Sequence, residues 1–237
     1  MIDVALCPSE IRRFSGMDLT GVTVVVFDVL RATSSMITGL SAGALEIFPV
    51  NSVNEARKRK LNEPDLLLAG ERGGLPPSGF DLGNSPEEFE KTTGRKVVMT
   101  TTNGTVAIQS MRNASEVLIG ALLNVDALAG YLFRRRSKSL LLVCAGTEEE
   151  FALEDGVAAG ALIGRLAEED RLSDSAILVR ALCERVGDDL EAWLRQTKNG
   201  RALQKIGKGS DIERCARLST SETIGCLRRE GIVRLAT

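Results

Sequence analysis

Asp28, Glu71 and the pair Glu154-Asp155 are carboxylates that each follow a short apolar run, and two arginines, Arg31 and Arg72, stand within three residues of the first two. Thr101-Thr102-Asn103-Gly104-Thr105 adds hydroxyl and amide groups after another such run, and Asn84 lies in the loop between them. Arginine makes bidentate hydrogen bonds to phosphate or sulfonate. A polar turn entering a helix offers backbone amides to an anion. Carboxylates without imidazole suit a hard, oxygen-liking cation, Mg²⁺ rather than Zn²⁺. Together these could hold a hard cation and a phosphate or sulfonate. Each acid also has a plainer reading: Asp28 as a turn or N-cap residue, Glu71 and Arg72 as a surface ion pair, Glu154-Asp155 as acids that suit a helix start.

What the chain lacks narrows the chemistry. Its 237 residues include no histidine. Ser-His-Asp triads, Cys-His pairs, phosphohistidine intermediates and imidazole-bound zinc are therefore excluded. Acid-base and nucleophilic work must fall to carboxylates, thiols, hydroxyls, Lys, Tyr or a metal-bound water. Asp28 has the strand-end position of an aspartyl nucleophile, but the second Asp of the D-x-D pattern is replaced by Leu30, so that mechanism is not supported. Cys7 and Arg13 have the spacing of a cysteine-dependent phosphate loop, yet Glu10 lies between them and no glycine does, which argues against one.

With 30 basic against 32 acidic residues the net charge is -2, so no nucleic-acid partner is expected. The densest basic run, Arg134-Arg135-Arg136, reads as the end of a helix. No apolar stretch approaches membrane-spanning length and no signal peptide is visible. The five cysteines are scattered and form no C-x-x-C, as expected of reduced thiols in a cytoplasmic protein.

The elements that would position these residues alternate. Strands are expected at 3–6, 23–27, 45–50, 66–69, 96–99, 117–119 and 140–144, several apolar on consecutive residues and hence buried on both faces. Helices are expected at 33–40, 53–61, 86–91, 105–111, 125–134 and 154–169. Four further helices, at 175–185, 189–195, 200–206 and 211–217, precede a terminal strand pair at 223–227 and 232–235. The pattern predicts a three-layer α/β/α fold with a largely parallel sheet. No linker interrupts it, so residues 1–237 read as a single domain. Residues 23–33 and 97–105 both run strand, polar turn, Thr, helix. They suggest two similar halves from an internal duplication, divided near residues 120–145. Residues 70–85 form the longest non-periodic stretch, with Ser85 as an N-cap before Pro86. Tyr131 and Trp193 fall in amphipathic stretches and read as core.

Phe27-Asp28-Val29-Leu30-Arg31-Ala32-Thr33, Gly70-Glu71-Arg72, 79–86, Thr101-Thr102-Asn103-Gly104-Thr105, Cys144-Ala145-Gly146 and Leu153-Glu154-Asp155 occur in that order. The series resembles the 2-phosphosulfolactate phosphatase family, and the likeness extends through Gly200-Arg201 and Leu203 to Asp211-Ile212. The resemblance implies a Mg²⁺-dependent phosphatase converting 2-phosphosulfolactate, a small phosphorylated sulfonate, to sulfolactate and phosphate, in coenzyme M or sulfolactate biosynthesis. It also implies an α/β/α fold with two similar halves, and it leaves room for a homodimer. On this reading Mg²⁺ sits among Asp28, Glu71, Glu154 and Asp155. Arg31, Thr33, Thr102, Asn103, Gly104 and Thr105 hold phosphate, and Arg72 and Asn84 face the sulfonate or carboxylate end. Asp28 and Arg31 carry the chemistry. The attacking group is a metal-activated water, with Asp28 as ligand or base, or Asp28 itself; the missing second Asp favours water. Thr147-Glu148-Glu149-Glu150 stands where a glycine-rich turn is expected, and its acids would be unfavourable beside an anion unless they face solvent. A phosphatase for another small phosphorylated acid and a non-catalytic anion-binding module are the alternatives.

Overall fold

The structure is a computed structural model that describes residues 1–135, 139–166, 172–187 and 189–235. Its frame follows from the apolar runs. β2 (Val22–Phe27), β5 (Lys96–Thr100), β6 (Glu116–Gly120) and β7 (Ser139–Cys144) are rich in Val and Leu and are buried over most of their length. Such runs, apolar on both faces, are what a sheet covered on both sides requires. β1 (Ile2–Ala5), β3 (Glu46–Pro49) and β4 (Leu67–Gly70) complete two parallel groups. One group runs β1-β7-β2-β6 and the other β3-β5-β4. A terminal antiparallel hairpin of β8 (Gly225–Arg228) and β9 (Gly231–Arg234) joins β6 to β3, giving one mostly parallel sheet of nine strands.

Helices cover both faces. α2 (Ala32–Ser41) and α5 (Gly104–Ser110) follow β2 and β5. They share one buried cluster with Val24 and Val26 of β2 and with Val97 and Met99 of β5, so one layer of helices serves both groups of strands. On the other side of the first group lie α6 (Val125–Arg135), α7 (Leu153–Leu166) and α8 (Asp174–Val186). α3 (Val53–Asn62) packs through Ala56 on the outside of the second group. α4 (Pro86–Phe89), α9 (Leu190–Leu194), α10 (Lys198–Lys205) and α11 (Ser210–Cys215) are short.

The three-layer α/β/α expectation therefore holds. The internal duplication is not confirmed: one parallel group takes β1, β2, β6 and β7 and the other takes β3, β4 and β5, so the groups interleave along the chain. The sequence reading also passed over α1 (Pro8–Ser15), which is too short to show a period and buries only Ile11 and Phe14. The Cys7–Arg13 stretch is the start of this helix, with Glu10 accepting from the Leu6 amide at 2.6 Å. Arg134 and Arg135 do end α6, while Arg136 and residues 167–169 of the long helix expected after 154 lie outside the described residues. Ser85 stands at the N-cap of α4 but makes no capping bond; its hydroxyl donates to Asp211 instead.

Candidate active site

A cavity of about 320 Å³ opens beyond the carboxyl ends of β2, β4, β5 and β7, with α10 across it. Asp28, Arg31, Glu71, Asn84 and Asp155 line it, with Thr102 and Asn103 from the turn after β5. This is the rim where open parallel sheets bind ligands.

Asp28 is set by its own turn. The Ala32 amide donates to Asp28 Oδ1 at 3.2 Å. Thr33 Oγ1 accepts from the Asp28 amide at 3.0 Å and donates to the Asp28 carbonyl at 2.9 Å, which locks the backbone that presents the carboxylate. Across the cavity floor the start of α5 meets it. A Cβ on Gly104 would stand 2.5 Å from Asp28 Oδ2 and 2.7 Å from the Ala32 Cβ, so only glycine allows this approach. The Gly104 amide lies near the Asp28 carboxylate and favours its charged form. The amides that begin α5, expected to cradle phosphate, thus already serve an internal acid and the Thr101 side chain, which accepts from the Thr105 amide at 3.1 Å.

The other acids staple loops. Asp155 accepts from the Val29 amide at 2.9 Å and the Gly146 amide at 3.1 Å, tying α7 to the turns after β2 and β7. Glu71 accepts from the amides of Gly74, at 2.9 Å, and Thr102, at 2.8 Å, joining the turns after β4 and β5. Gly70, ahead of Glu71, has φ +145 and lies against the Thr100 carbonyl where no side chain fits. Glu154 is buried and accepts from Asn199 of α10.

These acids crowd one another. Burial, with Glu71 and Glu154 nearby, pushes the Asp28 carboxyl from 3.8 up to about 7, although its amide bonds pull the other way. Asp155 is raised well above the usual carboxylate range by burial, Asp28 and Glu154, and Glu154 is raised chiefly by burial. The one arginine lining the cavity does not offset them. Arg31 Nη1 donates to Asp211 Oδ2 at 2.6 Å and Nη2 to the Gly74 carbonyl at 2.7 Å, with the Arg31 and Asp211 side chains each 2% exposed.

The donor set fits a hard cation. Buried acids in excess need a counter-charge, and the buried Asn84 Oδ1 has no hydrogen-bond partner in the protein. Among the described residues no three carboxylates or thiols converge into a ready-made cage.

A family model described as 2-phosphosulpholactate phosphatase matches residues 10–230. The chain belongs to this family. A protein of Thermotoga maritima, named "Probable 2-phosphosulfolactate phosphatase", is 38% identical over 232 residues, covering 96% of this chain and 95% of its own. One of Deinococcus radiodurans with the same name is 41% identical over 207 residues, 86% of each chain. One of Carboxydothermus hydrogenoformans, also so named, is 36% identical over 225 residues, 94% of this chain and 91% of its own.

In this family member not every expected residue reaches the cavity wall. Asp28, Arg31, Glu71, Asn84, Thr102, Asn103 and Asp155 do. Thr33 and Thr105 are buried behind it, tying their turns. Gly104 and Glu154 stand just behind it, against Asp28 and Asn199. Arg72 turns away: its guanidinium donates to Thr100 Oγ1 at 3.0 Å and to the Glu71 carbonyl at 2.6 Å, and the side chain is exposed. Of the acids at 148–150, Glu148 reaches the cavity wall beside Thr147, its charge paired with Lys198 of α10, while Glu149 and Glu150 lie outside the wall, paired with Arg12 of α1 and with Lys198. Asp211 and Asn199 were passed over as site residues. Asp211 falls within the likeness to the family and Asn199 just ahead of Gly200-Arg201, but no strand end marks either as a site residue.

Proposed function

We propose that this chain is a divalent-cation-dependent phosphatase that hydrolyses 2-phosphosulfolactate to sulfolactate and inorganic phosphate in the cytoplasm, within coenzyme M or sulfolactate biosynthesis. The observation that carries the reading is the group of buried, mutually repelling carboxylates at the strand ends, open to the cavity and lacking a protein counter-charge. One or two of Asp28, Glu71, Glu154 and Asp155, with waters completing the shell and Asn84 Oδ1 placed for one of them, would hold Mg²⁺. When bound, the cation supplies charge neutralisation for the phosphoryl oxygens and acidifies a water.

The chain's own groups do the rest. Two of the five donors of Arg31 are used by Asp211 and Gly74, leaving others for the phosphate. Thr102 and Asn103 supply neutral donors on the opposite wall. The Asp28 carboxylate is where a proton can be taken from the attacking water, because it lines the cavity and is held by the Ala32 amide. The new P–O bond forms from water, the ester P–O bond breaks, and the departing alkoxide takes a proton to become the hydroxyl of the product.

The test is phosphate release from synthetic 2-phosphosulfolactate, with Mg²⁺ and with EDTA, beside a panel of other small phosphate monoesters. The expected result is Mg²⁺-dependent release with the highest kcat/KM for 2-phosphosulfolactate. Faster turnover of another phosphorylated acid would move the substrate, and saturable binding without release would replace the enzyme by a binding module.

A further inference from the structure

Arg31 lies three residues from Asp28 at the edge of the acid group, where an unrestrained guanidinium would be drawn onto a carboxylate. It is not there. Asp211, which follows it by 180 residues at the start of α11, takes Nη1 at 2.6 Å, and Ser85 fixes the other oxygen of Asp211 by donating to Oδ1 at 2.6 Å. The Gly74 carbonyl takes Nη2. All three anchors come from segments distant in the chain, and the pair is sealed from solvent.

We propose that Asp211 is a positioning residue that holds Arg31 off Asp28 and Glu71, so that the carboxylates stay available to a divalent cation while the guanidinium faces the cavity. The inference rests on the cation reading of the site and adds a device to it. The site needs negative charge for the cation and positive charge for the phosphate within one small cavity, and the two would cancel if they met. A second carboxylate, outside the cavity wall, keeps them apart. Ser85 is the brace of this arrangement, which is why its hydroxyl leaves the capping position of α4.

The test is Mg²⁺ binding by titration calorimetry in the full chain, with Asp211→Asn, Arg31→Met and the double variant. In Asp211→Asn the charge that restrains Arg31 is gone; the guanidinium moves to Asp28, and Mg²⁺ affinity is expected to fall about tenfold or more. In the double variant there is no guanidinium to collapse, so affinity returns to the level of Arg31→Met. A merely structural role would weaken binding in both backgrounds without rescue, and that result overturns the proposal, as does unchanged affinity in Asp211→Asn. If Asp211→Asn does not fold, Ser85→Ala takes its place. It keeps both charges, and a loss of about fivefold is expected, again absent in the Arg31→Met background. If the wild-type protein takes up no Mg²⁺, the cation reading fails by itself. The crystal structure of the variant then decides: Arg31 found on Asp28 upholds the positioning role, and Arg31 unmoved ends it.

Discussion

In the turn after β2, Thr33 Oγ1 accepts from the Asp28 amide and donates to the Asp28 carbonyl; in the turn after β5, Thr105 Oγ1 accepts from the Thr101 amide at 3.0 Å and donates to the Thr101 carbonyl at 3.3 Å. Both threonines are fully buried. Each closes a tight connection from a parallel strand to a helix without using a glycine in the left-handed region. The outcomes differ. The first turn presents a carboxylate, Asp28, whose proton affinity is raised by its surroundings. The second presents Thr102 and Asn103, which are neutral. Because Gly104 lets the turns touch, the neutral turn supplies an amide to the acid one. One latch thus serves two chemistries, and the shared latch alone is no sign of a duplicated chain.

Breaking the acid turn should have the largest effect. Asp28→Asn keeps an oxygen for the Ala32 amide but removes the charge, and phosphate release should fall about 10³-fold. The same variant changes the pH dependence of folding. Asp28 is protonated more readily in the folded chain (about 7) than in the unfolded one (3.8). In metal-free protein its contribution is fully present below the lower value and is lost as pH rises through the upper one. The melting temperature of metal-free wild type should therefore fall between about pH 5 and about pH 8, and this slope should flatten in Asp28→Asn. Added Mg²⁺ at the upper pH should raise the wild-type value. A wild-type melting temperature that does not fall over this range would contradict the buried-acid account.

Forcing the turns apart comes next. Gly104→Ala places a methyl where Asp28 Oδ2 and the Ala32 Cβ already stand, the latter on backbone that cannot swing aside. A loss of about 1–3 kcal/mol is expected in urea unfolding, together with reduced turnover, because Asp28 must move. Thr33→Val and Thr105→Val then compare the latches directly. Each leaves a buried amide without its acceptor, at about 1–3 kcal/mol. The stability losses should match, but only Thr33→Val should depress activity strongly, since Asp28 is the residue its latch presents.

The two turns also mark how far the sequence could be read. Strands β2, β5, β6 and β7 were legible because long apolar runs fit only a sheet covered on both faces, and their ends located Asp28, Thr102, Asn103 and Asp155. Arg72 follows Glu71 directly, yet Glu71 lines the cavity while the Arg72 guanidinium bonds Thr100, a divergence between neighbours that residue order alone does not show. Asp211 and Asn199 were out of reach for another reason. They sit on helices of six and eight residues after the last parallel strand, and nothing in their periodicity says which sheet edge those helices cross.

The turn after β7 is the control for the comparison, since it is held without a threonine latch. Asp155 reaches back from α7 to the Gly146 amide, and Glu148 and Glu149 take φ of 52 and 67, a region that favours glycine. That geometry would suit the glycine-rich turn that the resemblance to the family implies here. Glu149→Gly should relieve backbone strain while giving up the exposed ion pair with Arg12, whose side chains are 61% and 64% exposed and whose contribution is small. The two effects oppose each other, so stability should stay close to that of wild type. Raising salt screens the ion pair in the wild-type chain only, so the variant should gain relative to wild type as salt increases. A variant that loses ground with salt would mean that the ion pair, and not the backbone, sets this turn.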